Sequence, residues 1–94
     1  MKRYTRGTHE QFAVEAARTA ISELPYTYNC DPGAVYALVR AKTDIARARV
    51  HLAVISMGGS SRRTVRLWGV VQRAENRVNE ASNRVARCLK GARP

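Results

Sequence analysis

The chain predicts an all-α fold. The expected architecture is a three-helix domain built on a long antiparallel α-hairpin, about 31–57 and 61–90, with a shorter N-terminal helix, about 8–24, packed on the back of the second helix. Three observations predict it. Apolar residues recur at alternating spacings of four and three along two long segments, the signature of helices with one sticky face. Helix start and stop signals bracket each segment. Nowhere does period-2 alternation persist between turn residues, so no strand is expected.

The first helix opens at Thr8. With Gln11 three residues on, Thr8 forms a capping box that satisfies free backbone N–H groups. Pro25 stops this helix after Leu24, and a loop rich in tyrosine, Pro25–Cys30, follows. Asp31-Pro32 then gives an N-cap acceptor and a proline at the first helical position, where its missing N–H is harmless. The second helix should end near Met57, because Gly58-Gly59 allows a left-handed C-cap. Ser60 or Ser61 caps the third, which runs to Lys90 with Gly91 just past its end.

Both long helices carry a seam. In the second, Ala34, Leu38, Ala41, Ile45, Ala48, Leu52 and Ile55 line up; in the third, Thr64, Leu67, Val71, Ala74, Val78, Ala81, Val85 and Cys88 do. The short Gly-Gly-Ser-Ser link makes these helices antiparallel. Pairing them at a constant sum of 119 sets Leu52 against Leu67, Ala48 against Val71 and Ile45 against Ala74. It then sets Ala41 against Val78, Leu38 against Ala81 and Ala34 against Val85. All layers but the first oppose a larger residue to an alanine, which lets two helices approach closely and still fill space. The same register puts Asp44 near Arg77 and Lys42 near Glu75 as flanking ion pairs.

Behind this seam the second helix shows a further apolar strip: Val39, Ala46, Val50, Ala53, Val54 and Met57. Phe12, Ala16, Ala20, Ile21 and Leu24 form a stripe on the first helix that could cover it. At about 25 Å the first helix is too short to cover all of it. Val54, Met57, Val65, Trp68 and Val70 near the hairpin tip are therefore expected to seek a partner surface, giving a homo-oligomer. The alternative is that Trp68 lies over the tip with Arg49 stacked on it.

Composition fits a single domain of 94 residues whose core is filled by aliphatics and alanine, with only 6% aromatic residues. The longest stretch free of Asp, Glu, Lys and Arg runs from Val50 to Ser61, well short of the ~20 apolar residues a membrane-spanning helix needs, so no membrane association is expected. Lys2, Arg3 and Arg6 precede no apolar run, so no export signal is read and the expected setting is cytoplasmic. Cys30 and Cys88 fall at the same end of the hairpin. A bridge between them is geometrically conceivable, but in a reducing compartment a buried Cys88 and a free loop Cys30 are expected.

Charge is the strongest functional signal. Lys and Arg number 17 against 7 Asp and Glu, leaving +10. Residues 1–31 are balanced, with four charges of each sign; residues 32–94 carry thirteen basic and three acidic side chains, so the whole excess lies on the hairpin and tail. Fourteen of the seventeen basic residues are arginine, which favours bidentate contact with phosphate or carboxylate. On the third helix Arg63, Arg66, Arg73, Arg77, Arg84 and Arg87 fall on one side, beside an amide row that includes Gln72, Asn76, Asn79 and Asn83. Such a face can hold phosphates and hydrogen-bond base edges; the plainer reading is a solvated surface.

A second candidate lies at the end opposite the glycine turn. Tyr26, Tyr28 and Tyr36 gather there with Arg40, Arg84, Arg87 and Lys90, near the N-terminus of the second helix. Rings beside cations could stack a base and hold its phosphate.

No catalytic arrangement appears. His9 and His51 have no cysteine or carboxylate at ligand or triad spacing, and Glu75 and Glu80 do not converge on one helix face. Neither enzyme activity, metal nor cofactor is expected. Three partner classes remain: nucleic acid or another polyanion on the arginine face; an acidic protein surface, as for a small phage or mobile-element inhibitor or adaptor; and a cyclic nucleotide held between hairpins of an oligomer.

Overall fold

A computed structural model describes residues 8–59 and 61–91. Lys2, Arg3, Arg6 and Ser60, which figure in the sequence reading, lie outside the described residues. Three α-helices follow in order: α1 (His9–Glu23), α2 (Pro32–Ser56) and α3 (Arg62–Gly91). Among the described residues there is no strand.

The capping acceptors act as the sequence implies. The Thr8 hydroxyl accepts from the Gln11 N–H at 3.2 Å, and the Gln11 amide donates to Glu15 one turn on. Asp31 accepts from the Ala34 N–H at 2.9 Å, with Pro32 in the first turn of α2. At the hairpin tip Gly59 has φ +107°, a conformation that costs a side-chain-bearing residue about 1–2 kcal/mol. Ser61 accepts from the Thr64 N–H at 3.2 Å and so caps α3.

Pro25 ends α1, yet the segment read as a loop is more ordered than expected. Leu24–Tyr28 form a 3-10 helix with Pro25 in its first turn. Proline is tolerated there because no donor is needed at that position. The buried Thr27 hydroxyl donates to the Leu24 carbonyl at 2.6 Å and tightens the turn.

Of the fifteen seam residues of the α2–α3 hairpin, thirteen are buried; Ile55 and Cys88, at the ends of the seam, are half-buried. Cross-helix contacts agree with the antiparallel register: Arg49 of α2 meets Gln72 and Glu75 of α3, Ser56 meets Trp68, and Cys30 meets Cys88 at the far end. The flanking ion pairs do not form as expected. Asp44 pairs with Arg47 one turn along its own helix, at 3.0 Å, and Glu75 pairs with Arg49 instead of Lys42. The Asp44 side chain is largely covered, so a cation on its own helix reaches it with the least rearrangement.

α1 runs antiparallel to α2, with His9 beside His51 at one end and Glu23 on Arg40 at the other. It also touches α3 through Glu10 and Arg63, 3.3 Å apart. Its covered face is rotated slightly from the expected one. Ala16, Ala20 and Leu24 are buried as expected, joined by Ala13 and Ala17 in the common core with the hairpin seam, whereas Phe12 is exposed and Ile21 only half-buried. The strip Val39, Ala46, Val50, Ala53, Val54 and Met57 on α2 stays exposed. The reason is steric. A stripe of alanines can sink between two helices and be covered by both, while a stripe of valines on the back of α2 would be covered by one helix only. Val70, expected at the open tip, instead packs against the core.

The two cysteines also depart from expectation. Cys30 and Cys88 are joined in a disulfide, with Cα atoms 5.7 Å apart. Cys88 is half-buried, not sealed in the seam, and Cys30 is exposed with φ +55°. The hairpin register is what brings them together.

Candidate nucleic-acid interface on α3

The arginines of α3 divide into those the fold uses and those it leaves in solvent. Arg63 is used, pairing with Glu10 of α1. So is Arg84: its Nη2 donates to the Thr27 hydroxyl at 2.9 Å, and its guanidinium carbon sits 3.7 Å from the centroid of the Tyr28 ring. Its Nε is buried with no hydrogen-bond partner. Arg84 therefore ties the 3-10 helix to α3 and is withdrawn from the outer face.

Arg66, Arg73, Arg77 and Arg87 remain exposed and form no ion pair among the described residues. Arg62, absent from the sequence-based set, belongs with them; its place one turn before Arg66 was the signal that could have found it. From Arg62 to Arg87 the row spans about 37 Å at 1.5 Å per residue. Beside it Gln72 donates to Asn76 at 3.0 Å, while Asn79 and Asn83 are exposed. Glu80 is the acidic side chain within this face. Most other acidic groups are spent inside the fold: Glu10, Glu23, Asp44 and Glu75 each hold an arginine. Internal pairing thus leaves the α3 row as a concentrated cationic face, offset in part by Glu80 and able to bind closely spaced anions bidentately.

The tyrosines do not form the single pocket expected. Tyr26, Tyr36 and Arg40 line one hollow of about 410 Å³, together with Glu23, Asn29 and Asp31. Tyr28 lines another, of about 350 Å³, with Arg77, Glu80 and Arg84. Arg40 lies 5.8 Å from the Tyr36 ring centroid and also pairs with Glu23. Lys90 sits in the last turn of α3 and is exposed; it lines neither hollow.

The tip takes the arrangement given above as the alternative. The Trp68 indole donates to the Ser56 hydroxyl at 3.3 Å, and the Arg49 guanidinium lies 5.7 Å from the indole centroid. Val54, Met57 and Val65 stay exposed, Met57 by 85%. The histidines, unpaired in the sequence reading, face each other with Nδ1 atoms 2.9 Å apart, and Phe12 lies against His51. Desolvation, then His9, then Arg47 hold the His51 imidazole below its ordinary value of 6.5. Among the described residues no group of three or more His, Cys, Asp or Glu could hold a metal, and no helix is long and apolar enough to cross a membrane.

No protein-family model matches the chain, and neither does any curated protein or solved structure.

Proposed function

We propose that the protein binds, without catalysis, the phosphate backbone of a nucleic acid along α3. The observation that carries this reading is the row Arg62, Arg66, Arg73, Arg77 and Arg87: exposed, without ion pairs among the described residues, and flanked by amides. Guanidinium groups at helical repeats over about 37 Å suit a linear polyanion better than a compact one. Arg63 and Arg84, being held within the fold, contribute less than the sequence implied. Neutralised phosphates release counterions, so affinity should fall with salt at a log–log slope near −0.9 per contact on duplex DNA, or about −0.7 on single strands. Arg73→Ala with Arg77→Ala should flatten that slope by about 1.4–1.8. Unchanged slope and affinity in a folded double variant would remove α3 as the interface.

A second reading, contact with a protein, rests on the uncovered apolar strip of α2 and on Val65 and Trp68 beside it. Its simplest form is self-association, and a core this small gains stability from it. Light scattering should then give a mass that is a multiple of 10.5 kDa; a strictly monomeric mass at high concentration leaves only a heterologous acidic protein as occupant. The cyclic-nucleotide reading loses support because the tyrosines are split between two hollows. Free cysteines were expected from the cytoplasmic setting, and the Cys30–Cys88 bridge weighs against that setting, since disulfides persist where conditions are oxidising.

A further inference from the structure

Tyr28 stands where the arginine row meets the 3-10 helix. Arg84 lies against one face of its ring, 3.7 Å from guanidinium carbon to centroid, yet the side chain is 65% exposed. The ring is thus backed by a cation on one side and open to solvent on the other. Arg77, a member of the exposed row, lines the same hollow as this ring. Phosphate-binding guanidinium and stacking surface are therefore contiguous.

Tyr26 and Tyr36 stand at the same end of the bundle, on its α2 side, with Arg40 5.8 Å from the Tyr36 ring centroid. They are 59% and 67% exposed, and both line the hollow of about 410 Å³. That hollow also holds Glu23 and Asp31, whose charges turn a phosphate away but can accept from base amino groups. The 3-10 helix is fixed in place by the Thr27–Arg84 hydrogen bond and by the Cys30–Cys88 bridge beside it. Tyr26 and Tyr28 on this segment and Tyr36 on α2 are solvated, so they contribute little to the core, and on backbone held this firmly they lose little conformational freedom on binding.

We propose that this end of the molecule is a stacking platform for unpaired bases, so that the polyanion held along α3 is single-stranded nucleic acid. The inference rests on the backbone-binding reading above and adds the substrate class to it. In a duplex the base faces are already stacked and Tyr28 would meet none. In a single strand each base has a free face, and a backbone lying on Arg73 and Arg77 delivers the next bases to Tyr28 and then to the Tyr26–Tyr36 hollow.

The test is fluorescence anisotropy with a labelled 20-nucleotide single strand and the 20-base-pair duplex of the same sequence, each titrated with the full chain over a salt series. The expected result is that the single strand binds at least tenfold more tightly. Tyr28→Ala with Tyr36→Ala should weaken single-strand binding by about thirtyfold or more, the lower end for two lost stacking contacts. Duplex affinity and the salt slope should not change. Tyr28→Phe keeps the ring and should bind as the parent does; Tyr36→Ala alone, at an exposed position, serves where the double variant does not fold. Equal or tighter duplex binding, or tyrosine variants that bind the single strand like the parent, overturns the platform and leaves the backbone reading standing. Failure of the parent to bind either polymer overturns both.

Discussion

The two ends of the bundle are held by different means. At the loop end the 3-10 helix, α2 and α3 are joined by a covalent bridge between Cys30 and Cys88, with Arg84 holding Thr27 and lying against Tyr28. At the tip the corresponding links are the His9–His51 contact, the Trp68–Ser56 hydrogen bond and Arg49 over Trp68, all at or near the surface. The seam between them is continuous and buried from Ala34 to Leu52. The difference lies in the connections: the tip is already closed by the short glycine turn, so weak contacts suffice, while the loop end must hold three chain segments that no short turn joins. Aromatic rings follow the same division. Tyr26, Tyr28 and Tyr36 at the loop end are more than half exposed, whereas Trp68 at the tip is 37% exposed and hydrogen-bonded to Ser56.

The largest effect expected from breaking this contrast comes from the bridge. Cys30→Ser with Cys88→Ser removes a cross-link between residues separated by 58 positions. The chain-entropy relation gives a loss of about 4 kcal/mol for such a loop. Denaturant melts of the double variant should show it, and the parent in reductant should melt as the variant does. A double variant within about 1 kcal/mol of the parent, less than the smallest typical disulfide contribution, would mean that the loop end is held by Arg84 and packing alone.

A smaller effect sharpens the other side of the comparison. The fold favours neutral His51, because burial, His9 and Arg47 all oppose its protonation. Its pKa in the folded state lies below the unfolded value, so its contribution is full above about pH 6.5 and is lost as pH falls through the lowered value. The facing groups are His9 from α1 and Arg47 from its own helix; none is a carboxylate that would reverse the sign. The midpoint of thermal unfolding should therefore fall between pH 7.5 and pH 5, and less steeply in His51→Gln. Parallel profiles for parent and variant would show that the tip does not sense pH through this residue.

Much of this was legible in the sequence. The hairpin followed from the four-three spacing and the glycine link, since a repeat of that period leaves a helix one apolar face to bury. Thr8, Asp31 and Gly59 marked their caps because each position demands a particular side chain or a particular φ. Charge segregation was visible too, because it is a matter of counting and helical phase.

What sequence order could not supply was how α1 docks and which arginines stay outside. Ala16, Ala20 and Leu24 were in the expected stripe and are buried, but Ala13 and Ala17 complete the buried face in place of the larger Phe12 and Ile21. Close approach between helices rewards small residues at the contact, and that gain exists only once two other helices form a groove. Arg84 looked equivalent to Arg77 by phase. Only the position of Thr27 and Tyr28, set by the turn after Pro25, separates the arginine that holds the fold together from the one left for a ligand. Cys30 likewise has no partner in local sequence, and the hairpin register delivers one 58 positions away. The sequence by itself determined the helices, their pairing and the sign of the surface. Tertiary structure decided which faces were covered and which side chains were spent, because burial and long-range pairing depend on segments that are distant along the chain and adjacent in space.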